Sequence, residues 1–418
     1  MGNREWDPEP TVFLHPTVHP TPYSCGTLKT MRIGIDARTL SGRFTGDRTY
    51  WRGLIGGLAA IDKENEYFLY IRSDIEGEVP SIGPNFHWRT VPKPTHDALW
   101  MQTAFPKAVT ADRVDVAHTQ YNTPLFGMPC PIVTTVHDIT FALFPEHFLP
   151  KDRFILNRFV PGSMRRAARV IAVSESTRRD ILRRYKLHIP QDKVVTTLLA
   201  ADARFKPPGL PSMTFAERQE SARLAANNKY ELRGLPYILS VGVMQPRKNL
   251  ALLLDAFALM KLGPLAPPHL LVIAGKRGWK NQELDAQLAK LPPEVVDQIV
   301  FTGYVPDEDL PMLYGGADAF CYPSLYEGFG LPPLEAMACG CPVLVSRVSS
   351  LPEVVGDAGV LLPTGDSDAW ATALEKLIEN PNVRERWSLR GLERAREFSW
   401  EKTAAKTLAV YRDATGTG

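Results

Sequence analysis

From Met31 onward the chain alternates short runs of aliphatic and β-branched residues with longer stretches in which apolar positions recur every three or four residues. The runs MRIGIDA, EYFLYI, VDVAHT, PIVTTVHDI, RVIAVS and KVVTTL are mostly apolar, the pattern of strands covered on both faces. Strands that alternate with helices predict a parallel sheet between two helical layers. After Phe205 the rhythm breaks in KPPGLPSMTFAERQESARLAANNKYELRGLP, a stretch with prolines and a polar, helix-prone centre. A second series then begins with YILSVGV, HLLVIAG, IVFTGYV, AFCYPS and PVLVSR. The predicted organisation is an α/β domain over 31–205, a linker over 206–235, a second α/β domain over 236–397, and a closing helix and tail over 398–418 that is free to lie across either domain. Residues 1–30 are proline-rich and aperiodic, so a disordered tail is expected there and the folded unit is expected to start at Met31.

The length of 418 residues suits two such domains and exceeds what one ordinary core covers. Charge is nearly balanced, 48 Lys and Arg against 46 Asp and Glu, which gives no reason to expect nucleic acid as a partner. Five cysteines, an odd number without a CxxC pair, fit reduced thiols and a cytoplasmic setting. No apolar run of about 18 residues or leader-like segment is found, so no spanning helix is expected.

Two facing α/β domains bring the carboxyl ends of their sheets to one cleft, where ligands of open α/β sheets bind. Candidate chemistry is therefore sought just after strands. In CYPSLYEGFGLPPLEAMACG a strand ends near Ser324, a loop carries Glu327, Gly328, Phe329 and Gly330, and a helix is predicted from about Leu331 with Pro332 in its first turn. That helix tip offers N–H groups and a positive dipole end to an anion. Glu327 and Glu335 flank it, each suited to accept hydrogen bonds from sugar hydroxyls. One anion between two sugars describes a nucleotide-sugar. In SVGVMQPRKNLALLLDAF, Arg247 and Lys248 follow the first strand of the second domain and Asn249 stands as an N-cap. Alone, such a pair of cations reads most simply as a solvated turn. Beside the two glutamates it reads as the counter-charge to a diphosphate, whose departure fixed cations and N–H groups would ease.

These motifs, together with GIDAR at the first strand, His137 and Asp138 at the end of PIVTTVHDI, and AVSESTRRDI from Ala172, resemble the family 4 retaining glycosyltransferases of the GT-B fold, and more narrowly the mannosyltransferase-like bacterial enzymes of surface-polysaccharide synthesis. The resemblance runs from residue 31 to about 412. It implies two Rossmann-like domains facing across a cleft, and transfer of a hexose from a nucleotide-diphosphate sugar, GDP-mannose or a UDP-sugar, to a hydroxyl of a glycan or lipid-linked acceptor. It further implies retention at the anomeric carbon, with no permanently bound cofactor and no metal. By residue, it assigns the leaving diphosphate to Arg247 and Lys248, the donor sugar to Glu327, and the ribose to Glu335. The phosphate site falls to the backbone N–H groups of Phe329, Gly330 and Leu331, with Gly328 and Gly46 as further donor-binding residues, and the transferred sugar to His137 with Asp138 beside it. Glu175 is a further site candidate that competes with a capping role for the helix near Ser176. The chain departs from the family's glycine-rich run after the first strand: SGRFTGDRTYWRGL keeps Gly46 but places Asp47 and Arg48 next. Because an aspartate beside a diphosphate is repulsive, this loop is expected to face the acceptor.

The acidic triplets at Asp307 to Asp309 and Asp366 to Asp368 read as helix caps before metal ligands, and the glycines at 34, 42 and 46 do not form a dinucleotide fingerprint. A nucleotide-sugar epimerase, a glycogen-synthase-like polymerase and a silent sugar-nucleotide-binding subunit remain as alternatives on the same architecture. Between Lys151 and Lys186, eleven Lys and Arg face three acids, so the first domain carries local positive charge. A solvated helix face explains it; so does peripheral contact with an anionic membrane at the inner face of the plasma membrane, at about 1 kcal/mol per residue near the surface. Pro161 and Gly162 are expected to interrupt any long amphipathic stripe there.

Overall fold

A computed structural model of the chain describes residues 30–41, 46–72, 82–92, 94 and 99–417; the expected tail and part of the loop after the first strand lie outside them. Seven strands form the first sheet: β1 (Arg32–Asp36), β2 (Glu66–Arg72), β3 (Phe86–Val91), β4 (Val116–Gln120), β5 (Ile132–Val136), β6 (Arg169–Ala172) and β7 (Val194–Thr196), in the order 3-2-1-4-5-6-7. Six form the second: β8 (Tyr237–Val241), β9 (Leu270–Ala274), β10 (Ile299–Gly303), β11 (Ala319–Tyr322), β12 (Val343–Ser346) and β13 (Val360–Leu362), in the order 10-9-8-11-12-13. Every pair is parallel. The strand order reverses beside β1 in one sheet and beside β8 in the other, which makes a crevice at the carboxyl end of each.

Two edge strands, β3 and β13, are not among the apolar runs that the sequence displays. Phe86–Val91 mixes His87, Arg89 and Thr90 with Phe86 and Val91, and only those last two are buried. Residues 206–235, read as a linker, carry the helix Phe215–Tyr230, started by a capping box between Thr214 and Glu217. This helix packs on the second unit through Gln219, which donates to the Ala317 carbonyl, and through the Arg223–Asp318 ion pair at 2.8 Å.

The helix Trp400–Thr415 returns to the first unit. Gly53 and Gly57, one turn apart on the helix Gly46–Ile61, leave the space that it enters: a Cβ on Gly53 would lie 1.9 Å from the Trp400 indole, and one on Gly57 2.3 Å from the Trp400 carbonyl. Tyr411 closes a buried chain of polar contacts, its hydroxyl 2.6 Å from His118 Nδ1 while His118 Nε2 meets Thr135 and Thr135 meets Tyr50. Burial pushes the His118 pKa down to about 3, so the ring is neutral and can both donate and accept here.

The helix Pro150–Arg166 runs unbroken through Pro161 and Gly162, contrary to the interruption expected there. Leu156, Val160 and Met164, spaced one turn apart, anchor one side of it in the core with Tyr185 and Ile189, and this packing outweighs the local cost of the proline. Of the acidic triplets, Asp366 caps its helix by accepting from Ala369 N. Asp309 stands at the expected helix start, but its carboxylate takes hydrogen bonds from Lys229 and Tyr230 in place of the helix N–H groups.

Candidate active site

The two crevices meet in one cavity of about 450 Å³. Gly46, Asp47, His137 and Asp138 line it from the first unit; Arg247, Lys248, Glu327, Gly328, Phe329, Gly330, Leu331 and Glu335 line it from the second. The 3₁₀ turn Pro246–Lys248 follows β8, and the loop after β11 leads into the helix Leu331–Ala338. Pro332 and Pro333 supply no N–H, so at this helix tip the donors left for an anion are those of Phe329, Gly330 and Leu331. The loop is pinned from several sides. Ser350 Oγ donates to the carbonyls of Glu327 and Phe329, and Glu327 N donates to Ser349 Oγ at 2.9 Å.

Glu327 is the electrostatic centre of the second unit's wall. Arg247 Nη1 lies 2.6 Å from one carboxylate oxygen and Lys248 Nζ 2.7 Å from the other. Burial pushes the Glu327 carboxyl up, but the two cations more than offset this and hold it at about 2. Desolvation brings Lys248 down to about 8 despite the glutamate. Its ammonium also contacts the Tyr322 hydroxyl and stands 4.4 Å from that ring's centre. Arg247 and Lys248 exceed Glu327 by one charge within this cluster, which suits it to an anionic ligand, while Asp138 on the same cavity lining also draws on both cations.

Glu335 stands apart from these cations. Tyr314 donates to its Oε2 at 3.1 Å, and burial raises the carboxyl to about 7. Above pH 7 the folded state must hold a desolvated carboxylate that the unfolded chain ionises near 4.5, a cost of roughly 3 kcal/mol that fades as pH falls toward 4.5. Glu335→Gln is therefore expected to raise the melting temperature of the ligand-free protein by several degrees at pH 8, and by progressively less toward pH 5. A gain that does not vary with pH in calorimetry would contradict this burial.

His137 follows β5. Tyr50 meets its ring edge-on at 5.0 Å between centres, and Asp47 Oδ1 is 3.5 Å from Nε2. Nε2 is buried without a hydrogen-bond partner, and burial lowers the ring's pKa. A neutral imidazole with one unused nitrogen on a cavity wall is suited to a substrate hydroxyl. Two sequence candidates fall outside the cavity lining. Glu175 pairs with Arg178 at 3.1 Å and accepts from Thr196, while Ser174 caps the helix Glu175–Tyr185. Asn249 does not cap its helix: it sits at φ 52° and its amide donates to the Thr364 carbonyl. Sequence reasoning missed Tyr322, the last residue of β11 just before the Glu327 loop, and Tyr314, on the helix Leu310–Gly316 with β11 between it and Glu335; neither carries a motif of its own.

The units are held closed around the cavity. The Gly328 carbonyl accepts from Ser174 Oγ at 2.6 Å, and Glu353 of the second unit accepts from the Glu175 and Ser176 N–H groups at the tip of a first-unit helix. Tyr326 donates to Asp180 at 2.7 Å.

The family described as Glycosyl transferases group 1 matches residues 225–394, and the one described as Glycosyltransferase Family 4 matches 53–197. Over 296 residues the chain is 38% identical to the O-antigen chain mannosyltransferase B of Escherichia coli, covering 70% of this chain and 74% of that protein. The chain is a group 1 glycosyltransferase. Its fold is GT-B, as two solved structures illustrate. Sucrose-phosphate synthase from Thermosynechococcus elongatus superposes with a TM-score of 0.71 at 20% identity, over 93% of this chain and all of that one. Anabaena HepE in complex with UDP and glucose does so with 0.67 at 19%, over 92% and 100%. The transferase takes its sugar from a nucleotide-sugar and delivers it to a glycan acceptor. Among the described residues, none of the helices is long and apolar enough to cross a membrane.

Proposed function

We propose that this transferase moves mannose from GDP-mannose to a hydroxyl of a lipid-linked glycan at the inner face of the plasma membrane, with retention, in the assembly of a surface polysaccharide. Mannose, ahead of a sugar carried on UDP, follows from the mannosyltransferase that the chain matches over most of both lengths. The observation that carries the reading is the convergence of Arg247 and Lys248 on Glu327 in the same cavity as the helix tip at Leu331. A donor diphosphate placed there meets both cations and the Phe329, Gly330 and Leu331 N–H groups. Glu327 then faces the sugar hydroxyls, Glu335 the ribose, and His137 the transferred sugar from across the cleft, with Asp138 and Gly46 on the same wall.

As the bond between C1 and the β-phosphate oxygen breaks, charge grows on the diphosphate, where the fixed cations stabilise it most. Glu327 is held by two cations and is poorly placed as a nucleophile. The acceptor oxygen therefore bonds C1 from the face that the phosphate leaves, and its proton passes to a phosphate oxygen. Offered GDP-mannose, UDP-glucose and UDP-N-acetylglucosamine in parallel, the protein is expected to be stabilised against heat by GDP-mannose and to build an α-linked product from it. A preference for a UDP-sugar, or a β-linked product by NMR, would overturn the donor or the retaining mechanism respectively.

A further inference from the structure

The solvent face of the helix Pro150–Arg166 is unusual for a surface helix. With Leu156, Val160 and Met164 turned into the core, the 100° step per residue puts Lys151, Phe154, Ile155, Arg158, Phe159 and Arg165 on the opposite side. Phe154 is 70% exposed, and Ile155, Phe159 and the preceding Leu149 are exposed as well. Asp152, at the margin of this face, is the acid nearest to it in the helix sequence. At the helix's far end Arg166 donates to the Pro124 carbonyl at 3.0 Å, which ties down the neighbouring loop whose tip presents Leu125 and Phe126, the latter 79% exposed. Aromatic and aliphatic side chains interleaved with cations, on a helix without a covering partner among the described residues, match a surface that enters the headgroup layer of a bilayer: the rings bury in the acyl boundary while Lys and Arg meet lipid phosphates.

The position fits a lipid-borne acceptor. The helix follows directly from the segment after Asp138, and that segment also touches the second unit, with Phe144 5.5 Å from the Tyr326 ring and Trp279 donating to the His147 carbonyl. We infer that the Leu149, Phe154, Ile155 and Phe159 face, with the Leu125 and Phe126 loop tip, docks this transferase on anionic lipid beside the entrance to its cavity. This rests on the proposed lipid-linked acceptor for its purpose, but the surface itself is tested without any acceptor.

Flotation with vesicles of phosphatidylcholine alone, and of phosphatidylcholine with roughly one-third phosphatidylglycerol, reads the inference directly. The protein is expected to float with the anionic vesicles, to float less in high salt, and to stay behind with the neutral ones. Phe154→Ser with Phe159→Ser, and separately Lys151→Glu with Arg158→Glu, are expected to cut the bound fraction about tenfold or more while leaving donor-induced thermal stabilisation unchanged. Absence of flotation, equal flotation of the variants, or a wild-type dimer in light scattering that Phe154→Ser turns into a monomer would overturn it, the last by showing that a second copy covers this face. Loss of donor stabilisation in the wild type would instead count against the functional reading, whatever the vesicles show.

Discussion

Lys248→Ala is expected to lower kcat by about a hundredfold while the protein folds as before, since fixed donors aimed at developing charge carry effects of that size. Lys248 has two present contacts, the Glu327 carboxylate and the Tyr322 hydroxyl, and Arg247 remains to pair Glu327 when it is gone. The loss falls mainly on the transition state, because the diphosphate gains charge as it departs. The same residue sets a pH limb. Only the ammonium form carries the charge, so kcat/KM of the wild type should decline as pH rises through about 8, where the desolvated amine deprotonates. Lys248→Arg should be slower at pH 7 yet lose this limb, because a guanidinium keeps its proton. A pH–rate profile with the same alkaline decline in both proteins would remove Lys248 from the role.

Gly328→Ala tests the closed arrangement. A Cβ at this position would sit 2.1 Å from the His137 carbonyl oxygen and 3.0 Å from the Asp138 Cβ, a clash between backbone groups of the two units that no rotamer relieves. The alanine therefore has to push the units apart, which also strains the hydrogen bonds from Ser174 and Thr177 to the Gly328 carbonyl. Since a displacement of about 1 Å between reacting groups costs on the order of a hundredfold in rate, kcat/KM should fall by that factor. Small-angle scattering should show a larger radius of gyration, and donor affinity, which the proposed function assigns mostly to the second unit, should change far less. Full turnover in the alanine variant would mean that His137 and Gly328 need not approach for transfer.

The strands lining the cleft were legible because they are buried on both faces and thus apolar without interruption, as in Ile33 to Ile35 or Leu270 to Ala274. Two of the edge strands were not: β3 exposes part of one face and carries polar residues there, and β13 has only three residues. At the site, the turn from Glu327 to Leu331 could be read because glycines, prolines and acids crowd into a few positions. Its partners could not. Tyr314 belongs to another helix and reaches Glu335 only after folding, and Asn249 has the composition of a cap but a left-handed backbone that turns its amide to Thr364. Pro161 shows the same limit in reverse, a local breaker overruled by a helix face that finds its core.

The return of the last helix to the first unit changes how this enzyme can be recombined. An exchange of second units between relatives, made with a single crossover near residue 206, would also import a foreign closing helix, whose side chain at the position of Trp400 must fit the groove at Gly53 and Gly57. A workable hybrid needs two junctions, one on each side of the second unit, so that the native tail travels with the first unit it seals.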